Sequence, residues 1–155
     1  MTIDITDRLI LQALQRNSSQ RLEDLAKLVR LASSSVHDRI RRLQRDGAIR
    51  RWTVDVDETM LGLNVLAFVG LRATKPCSAL IEALDKIAAI QECHSVAGGL
   101  SLLLKVRVST TADLLDLTER LRAIPGVEST ETTIVLKRHF DRPVTVAETH
   151  HKGSR

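Results

Sequence analysis

The spacing of apolar residues changes once along the chain, and that change constrains the fold more than any other feature. Up to about residue 60 the apolar positions recur at helical intervals: Leu22, Leu25, Ala26 and Val29 stand at i, i+3, i+4 and i+7. From residue 63 they recur at every second position. In "SLLLKVRV", Leu102, Leu104, Val106 and Val108 share one side while Lys105 and Arg107 take the other. No single regular element serves both periods, so a helical head precedes a body built on strands.

The head reads as three short helices. In "DITDRLILQALQRN", Leu9, Ile10, Ala13 and Leu14 line one side, with Asp4, Thr6 and Asp7 as start signals. "RLEDLAKLVR" is the second. The third holds Val36, Ile40 and Leu43 on one side and ends at Gly47, where a left-handed residue is expected. After it, "AIRRWTVDVD" alternates and reads as a strand or wing-like extension.

Charge concentrates on the third helix. Residues 27–52 hold eight Lys/Arg against two Asp/Glu, although the whole chain carries only +4. One surface therefore meets an anion. With Val36, Ile40 and Leu43 inward, Ser34, Asp38, Arg41 and Arg45 point outward, and His37 and Arg42 flank them. Two helices joined by the four residues "RLAS", the second bearing outward arginines, make a helix-turn-helix. Short side chains near its start (Ser34, Ser35, His37) let the backbone approach bases, and the arginines beyond reach phosphates or guanine edges. A solvated basic face is the plainer alternative, but the preceding helix, the short turn and the strand that follows favour double-stranded DNA. Asp38 either accepts from a cytosine amino group or pairs with Arg41 or Arg42 along the helix, and the pairing is the favoured reading.

In the body, "LNVLAFVGLRA" is a strand, "SALIEALDKIAAI" a helix with Leu80, Ala83, Leu84, Ile87 and Ala88 inward, and "TADLLDLTERLRAI" a helix opened by Thr110 with Asp113 three positions on. "LDKIAAIQECHSV" aligns with "TERLRAIPGVEST" at an offset of 34 residues. Each copy runs helix into strand after an apolar strand. Two such units give the split arrangement called ferredoxin-like, βαββαβ. Its sheet leaves one face uncovered, and the first strand is apolar on both faces, so a second subunit is expected there.

The fold class is thus α+β: a three-helix winged helix-turn-helix, residues 1–50, joined by a strand linker, 51–62, to a ferredoxin-like domain, 63–140, with a flexible tail, 141–155. Trp52, Phe68 and Phe140 are the only aromatics, too few for a stacking platform. No apolar run is long enough to span a membrane. Cys77 and Cys93 form no C-x-x-C pair, and "HHK" in the tail reads as solvated side chains, so neither a metal nor a cofactor is expected.

In the order and spacing of "DITDRLILQAL", "LEDLAKLVRLASSSVHDRIRRLQRDGAIRRWTVDVD", "LLLKVRV" and "IPGVESTETTIVLK", the chain resembles the Lrp/AsnC family of bacterial and archaeal transcription regulators. The resemblance implies a DNA-binding regulator in the cytoplasm, associated with the nucleoid, whose sheet faces form dimers that assemble into tetramers or octamers. It also implies an amino-acid effector near the loop between the second and third sheet strands. The family loop usually reads Gly-Asp-x-Asp-Tyr, whereas this chain has Gly98, Gly99, Leu100, Ser101 and Leu102. An ammonium group would then be met by carbonyls, by Ser95 or Ser101, or by Thr130 and Thr132. In the head, Arg30 replaces the usual turn glycine and accepts a strained turn while adding a phosphate contact. Ala32 replaces the capping serine, a role expected to pass to Ser33 or Ser34. Two alternatives share the scaffold: an enzyme similar to the sirohaem decarboxylases, and an effector sensor that does not bind DNA.

Overall fold

The structure is a computed structural model that describes residues 2–74 and 78–146. It divides into a first unit, running up to Asp55 and resumed from Phe140, and a second unit, Val56–His139.

In the first unit, α1 spans Ile5–Arg16, α2 Leu22–Val29 and α3 Ser33–Arg45. Asp4 and Asp7 form a reciprocal capping box that satisfies two orphan N–H groups at the start of α1. Ile10, Ala13, Leu14, Leu25, Ala26 and Val36 make the core, with Leu22, Val29, Ile40 and Ile49 packed around it. Apart from Ile49, which follows α3, these are residues that the helical period selects, although Leu9, also expected inward, is not part of this core. Gly47 has a φ of 78°, beyond the C-cap Asp46 of α3.

In the second unit, β1 spans Val65–Ala73, α4 Ser78–Asp85, β2 Ile90–Ser95, β3 Leu102–Val108, α5 Thr111–Arg122 and β4 Val127–Ile134. All neighbouring strands are antiparallel, in the order β2-β3-β1-β4, which is the expected ferredoxin-like topology. Ala67, Val69, Leu71, Leu102, Leu104 and Val106 pack against Leu80 and Leu84 of α4 and Leu114, Leu117 and Leu121 of α5. Thr110 and Asp113 cap α5 reciprocally. On the opposite face Phe68 is 36% exposed.

Several expectations are corrected. The helix expected through residue 90 stops at Asp85; the N–H of Ile87 turns back to the carbonyl of Leu84, and Ile90 already begins β2. Residues 51–57 carry no strand, because alternation favours an extended backbone but a ladder also needs a neighbour to receive its N–H groups. Arg107 stands on the side that alternation gives it and is covered there: only 6% exposed, it donates to the carbonyl of Leu63 and pairs with Glu58, which also holds Arg138. Strand alternation selects a side of the sheet but not what folds across it. The tail expected to be loose begins against α1, where Gln12 and Gln15 donate to the carbonyls of Val146 and Val144. Residues 147–155, with His150 and His151, and Cys77 lie outside the described residues.

Candidate nucleic-acid interface

The turn between α2 and α3 rests on Arg30, whose φ of 54° and ψ of 44° place it in the left-handed region. A side chain there carries a cost of about 1 kcal/mol, and Arg30 remains exposed, as the sequence suggests. The cap of α3 differs from expectation. Neither Ser33 nor Ser34 takes it over; Ala32 sits at the N-cap without a side-chain bond, and Ser33 already lies in the helix. Caps are decided by backbone angles at the boundary, and Ala32 supplies the extended ones (φ −66°, ψ 147°). The hydroxyls of Ser34 and Ser35 are therefore free of capping duty, beside first-turn N–H groups that attract anions.

Along α3 the residues Ser34, Asp38, Arg41 and Arg45 are spaced by four, three and four, which keeps them on one stripe, and all four are exposed. His37 beside them is half-exposed. Arg41, together with Arg50 and Arg51 beyond the helix, has no acidic partner among the described residues. Arg45 directs its Nε to Asp46 at 3.2 Å while remaining largely open to solvent.

Arg42, expected among the DNA contacts, is bonded within its own chain. Its Nη2 donates to Asp7 Oδ2, and Asp7 is fully buried. Arg39 joins the same lock, with Nη1 2.8 Å from Asp7 Oδ1 and 2.6 Å from Asp4 Oδ2. Burial works against charge on Asp4, but the Asp7 N–H and the Arg39 guanidinium outweigh it and hold the carboxyl below its ordinary range. The bonds that Arg39 donates to Asp4 and Asp7 raise its own pKa, holding it further in its charged form. Two of the six arginines between residues 39 and 51 thus dock α3 onto the start of α1, and fewer are left without an acidic partner than charge counting implies. Asp4 and Asp7 were legible only as helix-start residues; their partners lie 32 to 35 residues away. The favoured partnership of Asp38 is overturned as well. Arg42 is committed to Asp7, and Asp38 lies instead 3.8 Å from His37 Nδ1.

The residues expected around an effector do not converge within one chain. Ser101 donates its hydroxyl to the carbonyl of Ala73 and accepts from its N–H, so it fastens the loop to β1. Leu100 lies over Gly70 on the open face of the sheet. Gly98 has a φ of 135°, a conformation glycine permits, and Gly99 adjoins Arg72. Register puts Ser95, Leu102, Leu71 and Thr130 in one row, so Ser95 and Thr130 are three strand spacings, about 14 Å, apart. Thr130 accepts from Arg122 on the helix-covered face, and Thr132 shares that face. A hollow of about 610 Å³ in the first unit is lined by Leu11, Leu14, Arg16, Arg50 and Trp52 among others, and by none of the residues expected around an effector. Among the described residues no group of three His, Cys, Asp or Glu side chains is placed to hold a metal ion, and no helix is long and apolar enough to cross a membrane.

Residues 3–50 match a family model described as a winged helix-turn-helix DNA-binding unit, and residues 66–145 match one described as the Lrp/AsnC ligand binding domain. Fold and matches together define a sequence-specific DNA-binding transcription regulator with a ligand-binding domain. The chain belongs to the Lrp/AsnC family. It is similar to the HTH-type transcriptional regulator FL11 of Pyrococcus abyssi, 33% identical over 140 residues that cover 90% of this chain and 93% of the relative. Among solved structures it is similar to AsnC of Escherichia coli, with a TM-score of 0.88, 27% identity and coverage of 94% and 99%. A feast or famine regulatory protein of M. tuberculosis, solved with L-methionine, matches with a TM-score of 0.86, 30% identity and coverage of 93% and 99%. These relatives are regulators, and the chain is a regulator rather than an enzyme on the same scaffold.

Proposed function

We propose that the exposed stripe of α3 is the surface this regulator lays into the major groove. Arg41 and Arg45 carry the phosphate or guanine contacts, Ser34, Ser35 and His37 approach the bases, and Arg30 touches the flanking backbone. Arg42 belongs to the scaffold that aims the helix. The observation that carries this reading is the division of labour on α3: Arg39 and Arg42 are locked to buried Asp7, while Arg41 on the outward stripe has no acidic partner among the described residues. The working boundaries are a DNA-binding head over residues 1–50, a link over 51–62 and a regulatory body over 63–140, with the open sheet face joining copies into a dimer and larger assemblies. The protein acts in the cytoplasm, on the nucleoid.

Gel-shift titration of a duplex selected from a random library tests the assignment. Arg41→Ala weakens binding to every duplex and reduces the slope of log affinity against log salt by about 0.9 for each phosphate left unneutralised. Unchanged affinity and slope for Arg41→Ala combined with Arg45→Ala would remove α3 as the interface.

The effector proposed is an amino acid, supported by the ligand-binding-domain match and by the relative solved with L-methionine. Gly98, Gly99, Leu100 and Ser101 offer it backbone groups rather than carboxylates; Ser95 flanks the same loop opposite Leu102, whereas Thr130 or Thr132 would have to come from a neighbouring copy. Thermal-shift measurement with single amino acids tests this: one present at 100 times its dissociation constant stabilises the fold by about 2.7 kcal/mol.

A further inference from the structure

We infer that Asp38 is a specificity-determining residue that accepts a hydrogen bond from a cytosine amino group in the operator. The inference rests on the reading that the outward stripe of α3 meets the major groove.

Asp38 lies in the middle of that stripe, between Ser34 and Arg41, with 81% of its side chain exposed. A carboxylate at such a position is expected to be neutralised along its own helix, four residues before a cation. That cation is Arg42, and it is already bound to Asp7. His37 Nδ1, at 3.8 Å, is too far away for a hydrogen bond. An ionised carboxylate offers only acceptors. Placed against a duplex it is repelled by the phosphates and by every base edge that also accepts, namely guanine O6 and N7 and thymine O4. The donors available in the major groove are the amino groups of cytosine and adenine. The adenine amino group stands beside the acceptor N7, which suits a side chain with both a donor and an acceptor, such as Asn. On its own base the cytosine amino group has only a C5–H beside it and no acceptor, guanine O6 lying across the pair, so a bare carboxylate fits it better.

Arg41 completes the chemistry. It stands three residues on, within neighbouring reach on the same face, and offers donors that match guanine O6 and N7. Acceptor and donor side by side read the two halves of a C·G pair. Asp38 also acts by refusal: it weakens binding wherever the base opposite it lacks a donor, which is how one unfavourable charge produces discrimination.

The experiment is selection from a random duplex library by the full chain and by Asp38→Ala, Asp38→Asn and Arg41→Ala, followed by titration on the selected duplex. The exposure of Asp38 predicts that its variants keep the wild-type unfolding temperature, which is measured alongside. The wild type selects a fixed cytosine in each half-site. Asp38→Ala flattens that column alone, losing roughly 5- to 100-fold discrimination there, and binds scrambled duplex more tightly. Asp38→Asn moves the preference towards adenine. A wild-type selection without a fixed cytosine, or a cytosine column unchanged in Asp38→Ala, overturns the inference. If Arg41→Ala still weakens binding to all duplexes in that case, only the role of Asp38 falls. If Arg41→Ala binds as the wild type does, the α3 interface falls with it.

Discussion

Replacing Asp7 with Ala removes the carboxylate that docks the recognition helix, and the structure allows its cost to be worked out. Three hydrogen bonds end on that side chain: Arg39 Nη1 at 2.8 Å, Arg42 Nη2, and the backbone N–H of Asp4 at 3.2 Å. Hydrogen bonds to charged groups contribute about 1.5–3 kcal/mol each when buried. Asp7 is fully buried, but the side chains of Arg39 and Arg42 are 27% and 37% exposed, so part of their loss is recovered as hydration. Arg42 recovers less than its exposure implies, because its Nε is buried and already without a partner. The net cost is about 3 kcal/mol, at the lower end of values for breaking a buried pair. If the chain melts as one body, that lowers the unfolding temperature by about 6–12 °C, and by roughly twice as much if the head melts alone. Circular dichroism melting of the full chain measures it, and a double-mutant cycle with Arg39→Ala isolates the pair. Arg42→Ala should lower stability in the same way, whereas Arg41→Ala should leave it unchanged and lose DNA affinity. Melting of Asp7→Ala within 1–2 °C of the wild type would refute the reasoning that the charged lock holds α3 in place.

Gly70→Ala puts a Cβ about 2.4 Å from Leu100 Cδ1, so Leu100 must leave its place on the sheet; a loss of about 1 kcal/mol by urea titration is expected, relieved when Leu100→Ala is added. No relief would show that the strain lies elsewhere. Glu92 is held below the ordinary carboxyl range, first by its bond from Lys105 and then by His94. A depressed folded value means stability that is present above the unfolded pKa of about 4.5 and is lost as pH falls through the folded one. Stability measured from pH 6 to pH 3 should therefore fall less steeply for Glu92→Gln, and an identical acid limb would show that the contacts of Glu92 contribute nothing.

The topology was legible because repetition carries it. The helical stripe of α2, the alternation of β3, the Thr110–Asp113 cap and the 34-residue repeat are local patterns, and each formed as the pattern implies. The α3 site was legible in part. Ser34, Asp38, Arg41 and Arg45 share an outward stripe because helix geometry alone puts them there. The partners of its charges were not legible. An (i, i+4) rule favours Arg42 for Asp38, and only the docking of α3 on the start of α1 offers Arg42 a buried carboxylate instead. The strand expected within 51–57 failed, and the covering of Arg107 went unread, for a related reason: a period names a face and says nothing about what meets it.

By itself, the sequence determined that helices precede a sheet, that the second and third helices are joined by a tight turn, and that a positive field sits on the third. These follow from side-chain periodicity and residue chemistry over a few neighbouring positions. Only the tertiary structure decided which guanidinium groups stay open to solvent and which hold the helix in place. That choice depends on carboxylates more than thirty residues away, which reach the helix only once the chain has folded.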